Sequence, residues 1–202
     1  MQFDRAKYKT IILYVSSNCD RSQLGAVKLH KVLYFLDMMH YALIGAPVTG
    51  STYRKRPHGP TSDELLVTLR DMESEGILKI EEGDYFGFRK KEYIPLVEPE
   101  IDRLNKVERL MLDEMIEFVC RNNTAKTISQ FSHNRAWEIA DFGEELPYHS
   151  ALHIFPSEVS PDALDWAAGE AEEIEAERSK ADSLGFTDYA TFRARVLQES
   201  HA

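Results

Sequence analysis

The stretch 24–44 constrains this chain more than any other, because its apolar residues cover nearly the whole circumference of the helix they would form. Leu29, Val32, Leu33, Leu36 and Leu43 fall on one side of that helix and Tyr34, Phe35, Met38 and Tyr41 on the other. A helix that is apolar all round has no face to give to water, so it is predicted to lie at the centre with other elements laid around it. Gly45 supplies a left-handed stop and Pro47 prevents resumption.

The flanking pattern is helical with one interruption. Tyr8, Ile11, Ile12 and Val15 form a single stripe, which predicts a helix over 3–16. Gly45, Pro47, Gly50, Pro57, Gly59 and Pro60 make 45–60 an ordered loop with a short extended piece around Thr52 and Tyr53. Thr61 and Glu64 have capping-box spacing ahead of Leu65, Leu66, Leu69 and Met72, so a helix is expected over 62–75, closed by Gly76. The period then changes. Ile77, Leu78 and Ile80 read as a strand, Glu82-Gly83-Asp84 as a turn, and Tyr85, Phe86 and Phe88 as the start of a return strand reaching Tyr93 and Val97. A helix, a glycine and a hairpin carrying Arg89, Lys90 and Lys91 give the outline of a winged-helix-like element.

Beyond it, a helix over 100–121 places Leu104, Val107, Met111, Met115 and Phe118 inward, and Thr124 caps a short helix bearing Ile128 and Phe131. Residues 132–156 read as irregular structure packed down by Trp137, Ile139, Phe142, Leu146, Tyr148 and Phe155. Ser160-Pro161 opens an acidic helix that Gly185 ends, and a last helix spans 187–198. The expected fold is therefore mainly α (α+β): a compact helical domain, 1–156, with a small β-hairpin, followed by an acidic helical C-terminal extension, 157–202.

Charge divides along the same line. Residues 1–97 hold 14 Lys/Arg against 12 Asp/Glu, a net of +2, whereas 98–202 hold 10 against 22, a net of −12. An acidic second half repels phosphates and disfavours a chain that wraps nucleic acid. It suits a basic partner or solubility. Cys19 and Cys120 match no zinc or redox spacing and read as two unpaired thiols. Asp4, Arg5, Lys7 and Lys9 interrupt the first apolar run before a signal peptide can build, and no run approaches the ~20 residues that a bilayer requires. A cytoplasmic protein is expected.

Candidate chemistry is thin. His149 and His153 stand four apart, as two zinc ligands on one α-helical face would, but Ser150 replaces the glutamate of a hydrolytic HExxH motif. His30, Asp37 and His40 share a side of the central helix and His58 follows in the loop, a set that would serve acid–base chemistry only in a cleft. No glycine-rich phosphate loop or serine nucleophile elbow occurs. No enzyme, metal or other cofactor is expected. The basic and aromatic loop Tyr53, Arg54, Lys55, Arg56, Pro57 and His58 is the candidate partner-binding site. With 89–91 it could grip a nucleic-acid backbone, meet an acidic protein surface, or pair with this chain's own acidic half.

One combination is more specific. Lys28, Leu29, Lys31, Tyr34 and Phe35 on the central helix, Gly45 and Pro47 in the turn, and Gly59 and Pro60 before the next helix resemble the opening of the Panacea antitoxin domain, the family of SocA-like and phage-associated GepA-like proteins. The likeness extends to His133 and Trp137 and covers about residues 8–156; His58 stands where the family often has tyrosine, and Val32 where leucine is common. The resemblance implies a non-enzymatic antitoxin that neutralises a cognate toxin, encoded by a neighbouring gene, by direct binding. In one mode it would act as an adaptor that delivers the toxin to an ATP-dependent protease. The alternative is a winged-helix-like DNA-binding autorepressor. Its candidate recognition helix, 62–75, carries Asp63, Glu64, Asp71, Glu73 and Glu75 against Arg70, which suits a major groove poorly.

Overall fold

A computed structural model describes residues 2–85, 87–154 and 169–172. The chain divides into two units, Met1–Pro156 and Ser157–Ala202. Of the second, only a helical turn at 169–172 is described, so the helices expected at Ser160-Pro161 and at 187–198 lie outside the described residues, as does Phe155.

The first unit is mainly helical with two small antiparallel sheets. Helix α1, Arg5–Asn18, starts where the Asp4 side chain accepts from the Lys7 amide, and its Tyr8, Ile11, Ile12 and Val15 are fully buried as their spacing predicts. Helix α2, Ala26–Ile44, is the centre: Lys28, Leu29 and the unbroken run from Lys31 to Met38 are buried, and α1, the helices Lys106–Ile116 and Ala125–Phe131, and the 148–153 turn all pack on it. Gly45 closes α2 in the left-handed region at φ 84°, its amide donating to Tyr41 O. Leu43, expected inside, is 67% exposed on the last turn of α2.

The loop after α2 folds on itself. Strand β1, Tyr53–Arg54, pairs with β2, Thr61–Ser62, in the register Tyr53↔Ser62 and Arg54↔Thr61. Thr61 is therefore extended rather than a cap, and helix α3, Leu65–Ser74, begins without a side-chain cap. The Glu64 carboxylate that the capping box required instead accepts from the Ser51 hydroxyl and the Thr52 amide. Leu65, Leu69 and Met72 are buried, but Leu66 is exposed, one position off the inner stripe.

Strand β3, Leu78–Tyr85, pairs with β4, Phe88–Pro95, from Leu78↔Pro95 to Tyr85↔Phe88. The reversal falls at Gly87, φ 83°, and not at Gly83, which stays in the strand opposite Lys90. A two-residue connection needs positive φ where it turns, and Gly87 meets that need inside a longer hairpin. Helix α3, left-handed Gly76 and the hairpin follow in the expected order.

The helix expected over 100–121 is broken. A 3₁₀ turn at Ile101–Arg103 precedes α4, Lys106–Ile116, which continues into a π-helical turn, Glu117–Arg121. Asn105 breaks the run by capping: its side chain accepts from the Glu108 amide while Glu108 accepts from the Asn105 amide. The buried face is Glu108, Leu112 and Ile116, rotated by one residue from the expected stripe, and Val107 turns outward. Lys7 balances the nearly buried Glu108 across 2.8 Å. Helix α5, Ala125–Phe131, is capped by Thr124 as expected, and α6, Arg135–Ile139, by Asn134. Ile139 and Phe142, expected to pack down, are exposed, whereas Leu146 is buried.

Replacing Asn105 by alanine leaves the Glu108 amide without its acceptor at the start of α4 and lowers stability by about 1 kcal/mol. Urea unfolding measures this, with the midpoint falling at unchanged slope.

A candidate binding site on a buried polar frame

Some of the residues shared with the family signature, Lys31, Gly59, Pro60, His133 and Trp137, meet at one loop. Lys31 is 1% exposed and donates from Nζ to Pro60 O at 2.8 Å. Ser129 Oγ donates to His58 O at 2.9 Å and Trp137 Nε1 to Arg56 O at 3.3 Å. His133 stacks on Trp137 with ring centroids 3.7 Å apart, and Lys55 Nζ lies over the Trp137 ring at 4.4 Å. Gly59 sits at φ 89° against this frame, where a β-carbon would come within 2.2 Å of Ser132 Oγ and 2.6 Å of Lys31 Nζ. Only glycine fits. The segment after α6 closes the far side: the Lys55 amide donates to Glu144 O, the Gly143 amide to Lys55 O, and the Leu146 amide to Tyr53 O.

A second network lies under the first half of the loop. Asp37 is wholly buried and accepts from the Thr49 amide at 2.7 Å, the Thr49 hydroxyl, Tyr53 Oη at 2.9 Å and Tyr148 Oη at 3.3 Å. Burial pushes its carboxyl above the ordinary carboxylate range, while the Thr49, Tyr53 and Tyr148 donors pull the other way. The single Tyr53 proton lies between Asp37 and Leu33 O, 2.8 Å away, and Tyr8 reaches Ser62 Oγ at 2.7 Å. Burial likewise raises the Tyr8, Tyr53 and Tyr148 phenols, and brings the Lys31 ammonium down to about 7.

These contacts redistribute the expected site. Tyr53 is 1% exposed, so it is a strut and not a contact residue; its hydroxyl is spent on Asp37 and Leu33. Arg54 pairs with Asp63 at 2.6 Å, Lys55 Nζ donates to Ala140 O, and Arg56 lies over Phe142. Pro57 and His58 are exposed. The loop's cations thus engage this domain's own residues, Asp63 by an ion pair and 138–143 through carbonyl oxygens and the Phe142 ring, and among the described residues none of them pairs with a carboxylate of the acidic half.

Of the other signature residues, Lys28 donates from a nearly buried Nζ to Cys120 O at 2.7 Å, Leu29 and Tyr34 are fully buried, and Phe35 packs edge-on against Phe118. Asn134 donates to the Tyr34 hydroxyl. Gly45 and Pro47 shape the turn that brings Thr49 to Asp37.

The histidines do not assemble a site. His40 Nδ1 faces Ala46 O at 2.5 Å, Asp37 is committed elsewhere, and burial lowers His30 to about 4 with no partner for its Nδ1. His149 and His153 lie on a 3₁₀ turn, Tyr148–His153, where residues three apart share a face and residues four apart do not. Cys19 and Cys120 are free and buried. Among the described residues no group of three or more His, Cys, Asp or Glu could hold a metal ion, and no helix is long and apolar enough to cross a membrane.

Sequence reasoning missed an apolar groove between α2 and α4. It has a volume of about 290 Å³ and is lined by Met39, Leu43, Val107, Leu110, Met111 and Met115, with Glu114 as its charged residue. The signal was present: Leu43, Ile44 and Leu110 close or extend apolar runs at positions that no neighbouring element had to cover.

Gly59→Ala combines backbone strain with overpacking against Lys31 and Ser132, and lowers unfolding free energy by about 2–4 kcal/mol in a denaturant titration. Lys31 sets a pH dependence. Its folded pKa is lowered, so between about 7 and 10.5 the unfolded chain holds a proton that the folded chain has released, and stability rises with pH across that window. Below about pH 7 the full cost of burying the charge remains. Lys31→Met removes this contribution, flattening a slope that approaches about 1.4 kcal/mol per pH unit; thermal unfolding from pH 6 to 10 reads the difference.

No curated protein and no solved structure matches the chain. The family described as "Antitoxin SocA-like, Panacea domain" matches residues 29–138, which run from the second turn of α2 through α5 to the penultimate residue of α6. That span contains both buried networks' central residues, Lys31 and Asp37, together with the loop they support. The chain belongs to the SocA-like Panacea domain family.

Proposed function

We propose that this protein is an antitoxin that neutralises a cognate toxin, encoded by a neighbouring gene, by direct contact in the cytoplasm and without catalysis of its own. Family membership supports the antitoxin reading. The observation that carries the contact mechanism is the groove between α2 and α4. Leu43, Ile44, Val107 and Leu110 are each 49–67% exposed on a rigid two-helix platform. Large apolar side chains grouped on a surface mark an interaction site, and methionines let such a site adapt to the segment that covers it. The occupant is an apolar segment of the toxin.

The autorepressor reading gains nothing from α3. Its exposed residues include Leu66, Val67, Arg70, Glu73 and Ser74, and Asp71 is paired with Arg5, so it offers a groove little that would read bases.

Co-expression with the product of the neighbouring gene tests the proposal through growth rescue and co-purification. Wild-type protein rescues growth and purifies as a stable pair. Leu43→Glu and Leu110→Glu, which add a charge at exposed positions, abolish both while leaving the thermal unfolding midpoint nearly unchanged. Rescue without a stable pair, lost when an ATP-dependent protease is inactivated, assigns the adaptor mode instead. A wild-type dimer that Leu110→Glu turns into a fully rescuing monomer assigns the groove to self-association.

A further inference from the structure

The N-terminus of α2, the π-helical turn Glu117–Arg121, the start of α5 and strand β4 enclose a cavity of about 880 Å³. It shares no lining residue with the apolar groove, and its chemistry is the opposite. Six lining residues are cationic, Lys28, Arg89, Lys90, Lys91, Arg121 and Lys126, and none of the sixteen is Asp or Glu. In a chain of net charge −10 that segregation is notable.

The cations differ in commitment. Lys28 donates to Cys120 O and Lys90 to Arg21 O. Arg121 pairs with Glu117 at 2.7 Å, and Arg89 meets Glu82 at 3.7 Å with its side chain 92% exposed. Lys91 and Lys126 form no ion pair among the described residues. The helix end adds to this field. Gly25 is the N-cap of α2 and gives no side-chain hydrogen bond, and the first turn carries no acidic residue, so the leading amides of a 19-residue helix lack both usual acceptors. Ser22, Gln23 and Asn122 supply neutral donors, and among the described residues no aromatic ring lines the cavity on which a base could stack.

The geometry points to a binding site for a small ligand that carries two or more adjacent phosphate groups. Cations on four separate elements around one concave space neutralise a compact polyanion. A single carboxylate would reach too few of them, and a base-reading surface would need an aromatic platform. The volume lies within the range of small-molecule sites. This site goes beyond toxin neutralisation and uses none of the groove residues.

The test is isothermal titration calorimetry of the full chain with sodium tripolyphosphate, alongside inorganic phosphate, a hexaglutamate peptide and a short single-stranded DNA. Tripolyphosphate is expected to bind at one site, more tightly than inorganic phosphate and weakening as salt is raised. Lys91→Ala and Lys126→Ala, at positions outside the core, each weaken it by about three- to tenfold. Lys106→Ala, which removes the same charge at the exposed start of α4, leaves it unchanged. No binding of tripolyphosphate overturns the proposal. So does an equal loss with Lys106→Ala, which would mean a diffuse field, or equal affinity for inorganic phosphate. Tighter binding of hexaglutamate or of DNA overturns it in favour of an acidic peptide or a nucleic acid.

Discussion

Two charged side chains buried on the central helix govern this fold. Moving an ammonium or a carboxylate out of water is tolerable only where hydrogen bonds replace the lost hydration. Lys31 recovers part of that cost from Pro60 O, and Asp37 recovers it from Thr49, Tyr53 and Tyr148. Each partner lies outside α2, so the loop 45–62 and the 148–153 turn must close over the helix for the charges to be satisfied. Apolar burial draws elements to α2; these two side chains decide in which register the loop arrives.

The same helix organises the surface by position along its length. Its uncapped N-terminus opens on the cation-lined cavity, its middle supports the loop, and its last turns, with Met39 and Leu43, form one wall of the apolar groove. A protein with a polar cavity at one end of a rigid rod and an apolar trough at the other can take ligands of different chemistry at both. Helix α4 contributes to both ends as well, through Val107 and Leu110 near its start and through the π turn at its finish.

What was legible in the sequence follows from how local each signal is. The centrality of α2, its stop at Gly45, the cap at Thr124 and the existence of the hairpin depend on short-range pattern, and all are present. The structure departs from the sequence pattern where a distant partner captures a side chain or where a second local cap lies inside an apolar stripe. Glu64 had capping spacing but was captured by Ser51 and Thr52, and the single stripe drawn through 104–118 ignored that Asn105 restarts the helix and turns it by one residue. Tyr53 looked like an exposed anchor because aromatic and basic neighbours suggest a contact surface, yet its partner Asp37 lies sixteen positions earlier. The family signature was readable as a list of residues. The physical meaning of Lys31, Gly59, Pro60 and Trp137, a frame for the loop, lies in contacts between residues far apart in the chain.

The bonds that hold residues 56–60 of the loop against the frame share one property: they end on its main chain. Pro60 O receives Lys31, His58 O receives Ser129, Arg56 O receives Trp137, and Lys55 exchanges bonds with residues 143 and 144 through its own amide and carbonyl. None of them reads what side chain stands at 56 or 58. The loop is therefore held in a socket that is blind to its outward chemistry, and the residues it shows to solvent can change in size, charge or polarity while its path over the helix stays the same.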